Sequence, residues 1–384
     1  MIIDIVSIIG IIIIVLLTAV SVMMNPFFRK IDAGAADDVP AAGDSSPLPS
    51  VTVLVMAHNN AKALDEHLPI ILTQDYAPGF EVVVVGEQGD TTMETAVAQF
   101  GRCKNLYATY VPKRSLFMSK SKLSVALGVK AAHNEWIVLL DSESMPTSDM
   151  WLMSLAKRMT ADTNLVIGYS NYTDDTPCSY RFRRLLADCY LLRKAQHATA
   201  YRANGTNIAF RRSEFIANDG YRGNLQYVNG EYDFIVNKYA RRGATRTALD
   251  SDATVRESKP TRKTWNDRNI CYHHIRRYME RSLPIRLLYN TDALLMYANY
   301  TAIVAGALLA AMTQRWLLLA VAIAALLTTV VLRSILAART FRLLGEDLPA
   351  WKAVPYELAQ PWHAMATHIR YAKADKADFT THKL

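Results

Sequence analysis

A continuous apolar run that stops at an acidic cluster constrains the fold of this chain more than any other stretch. Residues 136–140 are all apolar, and Asp141, Ser142 and Glu143 follow at once. Such a run, bounded by polar residues, is typical of a strand buried on both faces of a parallel sheet. Ligands of open α/β sheets bind beyond the carboxyl ends of the strands. The run therefore predicts a buried strand that delivers Asp141 and Glu143 to the mouth of a site.

These two carboxylates suit a hard divalent cation, because Mg²⁺ is commonly held by one or two carboxylates together with substrate phosphates. We predict Asp141 and Glu143 as ligands of Mg²⁺ or Mn²⁺. Acidic triplets are common, and a solvated turn after the strand is the alternative interpretation. The pattern of the surrounding chain decides between the two.

Strand-like and helix-like segments alternate ahead of this triplet. The strand-like runs are 51–56, 80–85, 106–110 and 136–140, and the helix-like segments are 61–73, 91–100 and 119–132. This alternation predicts an α/β fold with a parallel, doubly wound sheet. The loops 58–60, 86–90 and 141–144 follow strands of that sheet, so they converge on one rim together with Asp141.

Beyond residue 146 the alternation weakens. The remaining segments predict helices at 150–159 and 180–197, strands at 165–169 and 208–210, and a helix that opens with Glu231 and Asp233. Acidic residues in the first turn of a helix are favoured by the helix dipole, so capping is an alternative role for Glu231 and Asp233.

Three long apolar segments predict an integral membrane protein. They span residues 2–24, 293–313 and 316–332, and the last is near the short limit for crossing a bilayer. The first segment lacks the basic N-terminal region and the small-residue cleavage site of a signal peptide, so we predict a retained anchor.

Basic residues flank these segments on one side. They are Arg29 and Lys30 after the first, Arg276, Arg277, Arg281 and Arg286 before the second, and Arg333, Arg339 and Arg342 after the third. The positive-inside rule then predicts an outer N-terminus and a cytoplasmic catalytic domain, in a bacterial inner membrane. These clusters account for much of the formal net charge of +8, so no nucleic-acid partner is predicted.

The predicted organisation has six parts. They are an anchor at 1–25, a linker at 26–49, a catalytic domain at 50–260, an interfacial amphipathic helix region at 261–290, a transmembrane hairpin at 291–338 and a cytoplasmic tail at 339–384. The four cysteines are scattered and form no Cys-x-x-Cys pair, so we predict neither a disulfide nor a zinc site.

Five sequence blocks between residues 49 and 277 resemble family 2 glycosyltransferases. The blocks are 49–59, 72–76, 80–85, 120–128 and the strand that ends in Asp141, Ser142 and Glu143. Their order and spacing make the resemblance specific. It implies the GT-A fold, a Rossmann-like and mainly parallel sheet, with a nucleotide sugar as donor.

The resemblance also implies roles for individual residues. Asp141 and Glu143 match the Asp-x-Asp motif that holds the metal on the donor diphosphate, and Glu87 matches an acidic residue that reads the base. Glu231 matches the residue that deprotonates the acceptor hydroxyl, and Asp233 follows on the same turn. The further candidates for donor binding are His58, Asn59, Lys120, Lys122 and Arg114.

The sequence departs from the family pattern in two regions. Gly86 stands where the family often has Asp, and Cys271 and Tyr272 replace the Arg-Trp of the Gln-x-x-Arg-Trp motif of processive synthases. We therefore predict an inverting enzyme that moves a sugar, from a UDP-sugar by expectation, to a lipid-linked or nascent glycan acceptor in cell-surface glycan synthesis. The alternatives are a processive β-polysaccharide synthase and a catalytically inactive membrane scaffold.

Overall fold

The computed structural model describes residues 4–32, 47–57, 60–113, 118–280 and 283–380. The predicted donor-binding residues His58, Asn59 and Arg114 lie outside the described residues. The chain separates into two compact units. A helical unit comprises Met1–Ile31 and Arg281–Met365, and a sheet unit comprises Asp32–Glu280 and Ala366–Leu384.

The strands of the sheet unit, in chain order, are short and mostly buried. They are β1 Val51–Met56, β2 Phe80–Glu87, β3 Leu106–Val111, β4 Trp136–Asp141, β5 Ser144–Pro146, β6 Leu165–Gly168, β7 Ser170–Tyr172, β8 Ile208–Arg211, β9 Thr245–Ala248 and β10 Val255–Glu257.

The helices are numbered along the whole chain. They are α1 Ile5–Met24, α2 Ala61–Leu72, α3 Thr91–Gln99, α4 Lys120–Ala131, α5 Trp151–Ala156, α6 Cys178–His197, α7 Arg212–Ala217, α8 Glu231–Tyr239, α9 Arg262–Ile275, α10 Leu283–Met312, α11 Trp316–Leu343 and α12 Ala353–Lys373.

Within the described residues, seven strands form the central sheet in the order β3-β2-β1-β4-β8-β6-β9. The first four of these strands are mutually parallel, which confirms the predicted α/β class with a mainly parallel sheet. Strand β8 departs from the pattern because it runs antiparallel to both β4 and β6. A second small sheet has the order β5-β10-β7, and the sequence patterns did not predict it.

The register of the parallel strands determines where the site forms. Val55, Val84 and Leu140 lie in the buried core, and Asp141 pairs with Met56, which in turn pairs with Val85. The apolar β4 therefore ends level with β1, and its first polar residue stands at the rim. Every residue of β1 is buried, as expected for a strand covered on both faces.

A glycine lets α4 lie close to the sheet. A Cβ at Gly128 would overlap the side chain of Leu54, which points from β1 towards this helix. The alternate residues Val53 and Val55 point to the opposite face, where Leu64 and Leu68 of α2 pack on them. The strand thus buries both of its faces, one against each helix layer.

The helical unit contains three helices that are long and apolar enough to cross a membrane, among the residues searched. They are Ile5–Met24, Asn290–Met312 and Trp316–Leu343. The third extends beyond residue 332, where the sequence predicted its end. Arg333 was read as a flanking charge, but it is buried and its guanidinium pairs with Glu357 at 2.6 Å, so it does not end the helix.

Polar side chains also join these three helices. The Asn299 amide accepts from Thr18 of α1 at 3.0 Å and donates to Thr329 of α11 at 3.1 Å. Hydrogen bonds of this kind help apolar helices to associate in lipid, where the hydrophobic effect between helices is absent.

Candidate active site

Asp141 lies at the centre of the rim. The Tyr232 hydroxyl of α8 donates a hydrogen bond to Asp141 Oδ1. Burial raises the pKa of Asp141 to about 7, and the nearby carboxylates of Glu257 and Glu231 act in the same direction, while the Tyr232 hydrogen bond opposes them. A positive partner at this position would relieve the cost of burying the charge.

Glu143 lies on the same turn and is partly exposed. Its Oε1 accepts a hydrogen bond from Asn60 Nδ2 at 3.1 Å, and its Oε2 lies 3.8 Å from the Arg268 guanidinium. The Glu143 carbonyl accepts from the amide of Ser258 at 2.9 Å, which ties the turn to the end of β10.

The donor chemistry of the turn fits a divalent cation. Among the residues searched, no group of three or more His, Cys, Asp or Glu side chains could hold a metal ion. Mg²⁺ and related ions need only one or two carboxylates when substrate phosphates and water complete the shell. The carboxylates of Asp141 and Glu143 meet that requirement, and a cation beside Asp141 would stabilise its charged form, which burial disfavours.

A buried ion-pair network lies next to the turn that carries Glu143. The Glu257 carboxylate pairs with Arg184 at 2.5 Å and with Arg268 at 3.0 Å. Burial alone would raise the pKa of Glu257, but the two guanidinium groups lower it to about 2. A Cβ at Gly205, whose φ is +151°, would overlap the Arg184 guanidinium, so this position favours glycine.

Glu231 and Asp233, which the sequence could not tell apart, have different surroundings. Asp233 accepts two hydrogen bonds from Arg202 Nε, at 3.2 and 3.1 Å, and Arg202 lies 3.5 Å from the Tyr272 ring centroid. Glu231 Oε2 is buried and has no hydrogen-bond partner among the described residues. Burial raises the pKa of Glu231, and the Lys122 ammonium opposes this increase. Asp233 is therefore neutralised, whereas Glu231 keeps an acceptor oxygen.

The side chain of Lys122, a predicted donor-binding residue, makes its contacts inside the protein. Its side chain is fully buried, and its Nζ donates to the carbonyls of Asn224 at 2.8 Å and Tyr227 at 2.5 Å. Burial lowers the pKa of Lys122 to about 8. Lys122 thus holds the loop that leads to Glu231, and its predicted role in donor binding stays a prediction.

Glu87 and Lys120 meet at the end of β2. Lys120 Nζ lies 2.7 Å from Glu87 Oε1, and both side chains are partly exposed. The structure therefore brings together two of the predicted donor-binding residues. Their role stays a prediction.

Phe379 also contacts the loop that precedes Glu231. The Val228 amide donates to the Phe379 carbonyl at 3.0 Å, and the Phe379 ring stacks on His274 at a centroid distance of 4.8 Å. Trp265 of α9 stacks on Tyr180 at 4.0 Å. The aromatic residues of α9 therefore pack within the sheet unit, and the predicted contact of this helix with the membrane surface stays a prediction.

Sequence reasoning did not identify several members of this site. They are Arg184, Tyr232, Glu257 and Arg268, while Asn60 was predicted only as part of the rim loop 58–60. Arg184 lies in the helix predicted at 180–197, which carries several other basic residues, and Glu257 lies 73 residues further along the chain. A pairing over that separation depends on the second sheet, whose strands are too short for a periodic signal.

Comparison with known proteins identifies a family for most of the sheet unit. The family model described as "Glycosyltransferase like family 2" matches residues 49–270, more than half of the chain. No curated protein matches the sequence significantly.

Solved structures match over most of the chain at low identity. The mannosyltransferase PcManGT from Pyrobaculum calidifontis, in complex with GDP-Man and Mn²⁺, is 18% identical, with 94% of this chain and 96% of that chain covered and a TM-score of 0.48. S. aureus TarS 1–349, in complex with UDP-GlcNAc, is 15% identical, with 84% and 92% covered and a TM-score of 0.42.

The buried network generates a stability prediction. Glu257→Gln leaves Arg184 without its buried countercharge, so the free energy of unfolding should fall by about 3–5 kcal/mol. Chemical denaturation in detergent measures this. Glu94→Gln, at an exposed position of α3, is the matched control and should change it by less than about 0.5 kcal/mol.

The ion pairs of Glu257 also determine how the free energy of unfolding changes with pH. Because the folded pKa of Glu257 is about 2, below its usual 4.5, its contribution is complete above about pH 4.5 and is lost as the pH falls towards 2. The wild type should lose this part of its stability over that window, and Glu257→Gln should not. Equal stability of the two proteins near pH 6 would contradict the assignment.

Proposed function

Because this chain belongs to glycosyltransferase like family 2, we propose that it transfers a sugar from a nucleoside diphosphate donor to an acceptor hydroxyl, with inversion at the anomeric carbon. The observation that carries the proposal is the contrast between two carboxylates of α8. Glu231 keeps a buried oxygen without a hydrogen-bond partner among the described residues, while Asp233 is neutralised by Arg202.

Donor binding is assigned to the rim of the parallel strands. Asp141 and Glu143 would hold Mg²⁺ or Mn²⁺ there, and the bound cation would supply charge neutralisation to the leaving diphosphate. Arg268 places a guanidinium within 3.8 Å of Glu143, where it adds positive charge for phosphate oxygens. Glu87 and Lys120 lie at the end of β2, and we assign them to the nucleotide, with a UDP-sugar as the expected donor.

Acceptor activation is assigned to Glu231. Its raised pKa makes its carboxylate a stronger base near neutral pH than an exposed glutamate. Glu231 accepts the proton of the acceptor hydroxyl, the acceptor oxygen forms a bond to the anomeric carbon, and the bond from that carbon to the diphosphate oxygen breaks. A single displacement with one base inverts the anomeric configuration, as in inverting glycosidases.

The acceptor and the topology complete the proposal. We assign a lipid-linked or nascent glycan as acceptor, because three helices of this chain are long and apolar enough to cross a membrane. Arg29 and Lys30 follow α1, and Arg339 and Arg342 lie in the last turns of α11. The positive-inside rule then places the sheet unit in the cytoplasm and the N-terminus outside.

Donor use is tested with a panel of nucleotide sugars on detergent-solubilised protein. The wild type should release nucleoside diphosphate from one donor and bind that diphosphate more tightly with Mn²⁺. Asp141→Asn should lose the Mn²⁺-dependent affinity, because it removes a charged oxygen ligand. Asp65→Asn, at an exposed position of α2, is the control and should keep it.

Two outcomes of that panel would overturn parts of the proposal. Unchanged Mn²⁺-dependent affinity in Asp141→Asn would remove the metal assignment. If the wild type neither binds nor turns over any donor, the alternative of a catalytically inactive membrane scaffold would be favoured. Product length on a defined acceptor separates a single transfer from a processive synthase.

The base is tested by comparing Glu231→Gln with Asp233→Asn. Glu231→Gln should retain folding and donor binding, and its turnover should fall by about 10²- to 10⁴-fold, the usual worth of a positioned acid or base. Asp233→Asn should instead lower stability, because Arg202 loses its countercharge, and it should lose less turnover. Full transfer by Glu231→Gln beside an inactive but folded Asp233→Asn would move the base to Asp233.

Topology is tested with phosphatase reporters that are active only outside the cytoplasm. A reporter at the C-terminus should be inactive, and one inserted at Gln314, between α10 and α11, should be active. The reverse pattern would place the sheet unit outside.

A further inference from the structure

The segment that follows α11 exposes two tryptophans within the helical unit. Trp351 is 69% exposed and Trp362 is 63% exposed, and Met365, three residues further on, is 51% exposed. Trp362 and Met365 lie on one face of α12, because residues three apart are neighbours on a helix. On the buried side of the same helix, Ala353, Val354 and Glu357 pack into the unit.

Contacts of the buried side place this segment along the candidate membrane spans. The Glu357 carboxylate accepts a hydrogen bond from Asn25 at 2.7 Å and pairs with Arg333 of α11 at 2.6 Å. The Tyr297 hydroxyl of α10 donates to the Leu358 carbonyl at 2.5 Å. The first turns of α12 therefore contact α10 and α11 and the residue that directly follows α1.

The position of Asn25 indicates the depth of these contacts in the bilayer. It directly follows α1, whose 20 residues are the length that fills the hydrocarbon core of a bilayer. Asn25 thus lies at the boundary between hydrocarbon and water at which α1 ends. Because Glu357 is bonded to Asn25, α12 begins at the same boundary.

Charge next to the tryptophans fits the lipid headgroups of that boundary. Lys352 Nζ lies 5.1 Å from the Trp351 ring centroid, and Arg339 and Arg342 are exposed in the last turns of α11. Tryptophan is enriched at membrane interfaces, and basic side chains close to it attract anionic headgroups.

We propose that residues 350–365 form an interfacial anchor that lies in the headgroup layer of an anionic bilayer, at the boundary where α1 ends, with Trp351 and Trp362 in contact with lipid. This anchor is separate from the three spans. It lies within the cytoplasmic tail that the sequence predicted at 339–384, and it does not depend on the proposed transferase activity. A soluble protein partner or a second copy of this chain would be the alternative to lipid as the contact of Trp351 and Trp362.

The test uses the full chain in nanodiscs that contain phosphatidylglycerol, with bromine on the acyl chains close to the headgroup. Variants that keep a single tryptophan, with the others changed to Phe, report Trp351 and Trp362 separately. A variant that keeps only Trp151, which is fully buried in the sheet unit, is the negative control. One that keeps only Trp316, at the start of α11, is the positive control.

The emission of Trp362 and Trp351 should be quenched to an extent similar to that of Trp316, while Trp151 is not quenched. Since five substitutions at once can impair folding, the single change Trp362→Phe is measured as well. It should remove part of the lipid-quenchable fluorescence that the wild type shows.

Three results would overturn the proposal. Quenching of Trp362 by aqueous iodide but not by brominated lipid would place it in water. Quenching by neither would mean that protein covers it, whether a partner or a second copy. If the lipid quenching and the emission wavelength are the same in nanodiscs of pure phosphatidylcholine as in those with phosphatidylglycerol, the proposed contact with anionic headgroups is wrong.

Discussion

The unequal neutralisation of buried carboxylates at the end of β4 is the interaction on which the site depends. Glu257 is paired with Arg184 and Arg268, so it is held as a charged and structural group. Asp141 and Glu231 have no arginine of their own within pairing distance among the described residues, and burial raises the pKa of each. The two groups that lack a fixed countercharge are the ones to which the proposed chemistry assigns a cation and a proton. The network around Glu257 contacts the turn at Glu143, through Arg268 and the Ser258 amide.

The sequence predicted the part of this arrangement that depends on local pattern. A run of apolar residues that ends in Asp141 predicts a buried strand with its first carboxylate at the rim, and the register of β4 with β1 places Asp141 there. The long apolar segments predicted the helical unit for the same reason. Strand β8 was predicted, but its direction was not, because a four-residue strand gives no local indication of which neighbour it pairs with.

The remaining parts depend on long-range contacts that a local pattern does not contain. Lys120 and Lys122 both lie in the first turn of α4, yet one reaches the rim and the other lies under the loop before Glu231. Glu231 and Asp233 are distinguished by Arg202 and Lys122, which come from other segments. The structure of the chain after residue 339 was likewise not predictable, because its contacts are made with residues far away in sequence, as between Val228 and Phe379.

We propose that the turn from Asp141 to Glu143 and the Glu231 carboxylate form one site for donor and acceptor. The most direct test is an experimental structure of the full chain with Mn²⁺ and UDP, measured with the anomalous scattering of manganese. We expect an anomalous peak coordinated by Asp141 and by diphosphate oxygens, with Glu231 facing the open side of the bound diphosphate. A manganese peak away from residues 141–143, or a diphosphate bound without contact to this turn, would contradict it.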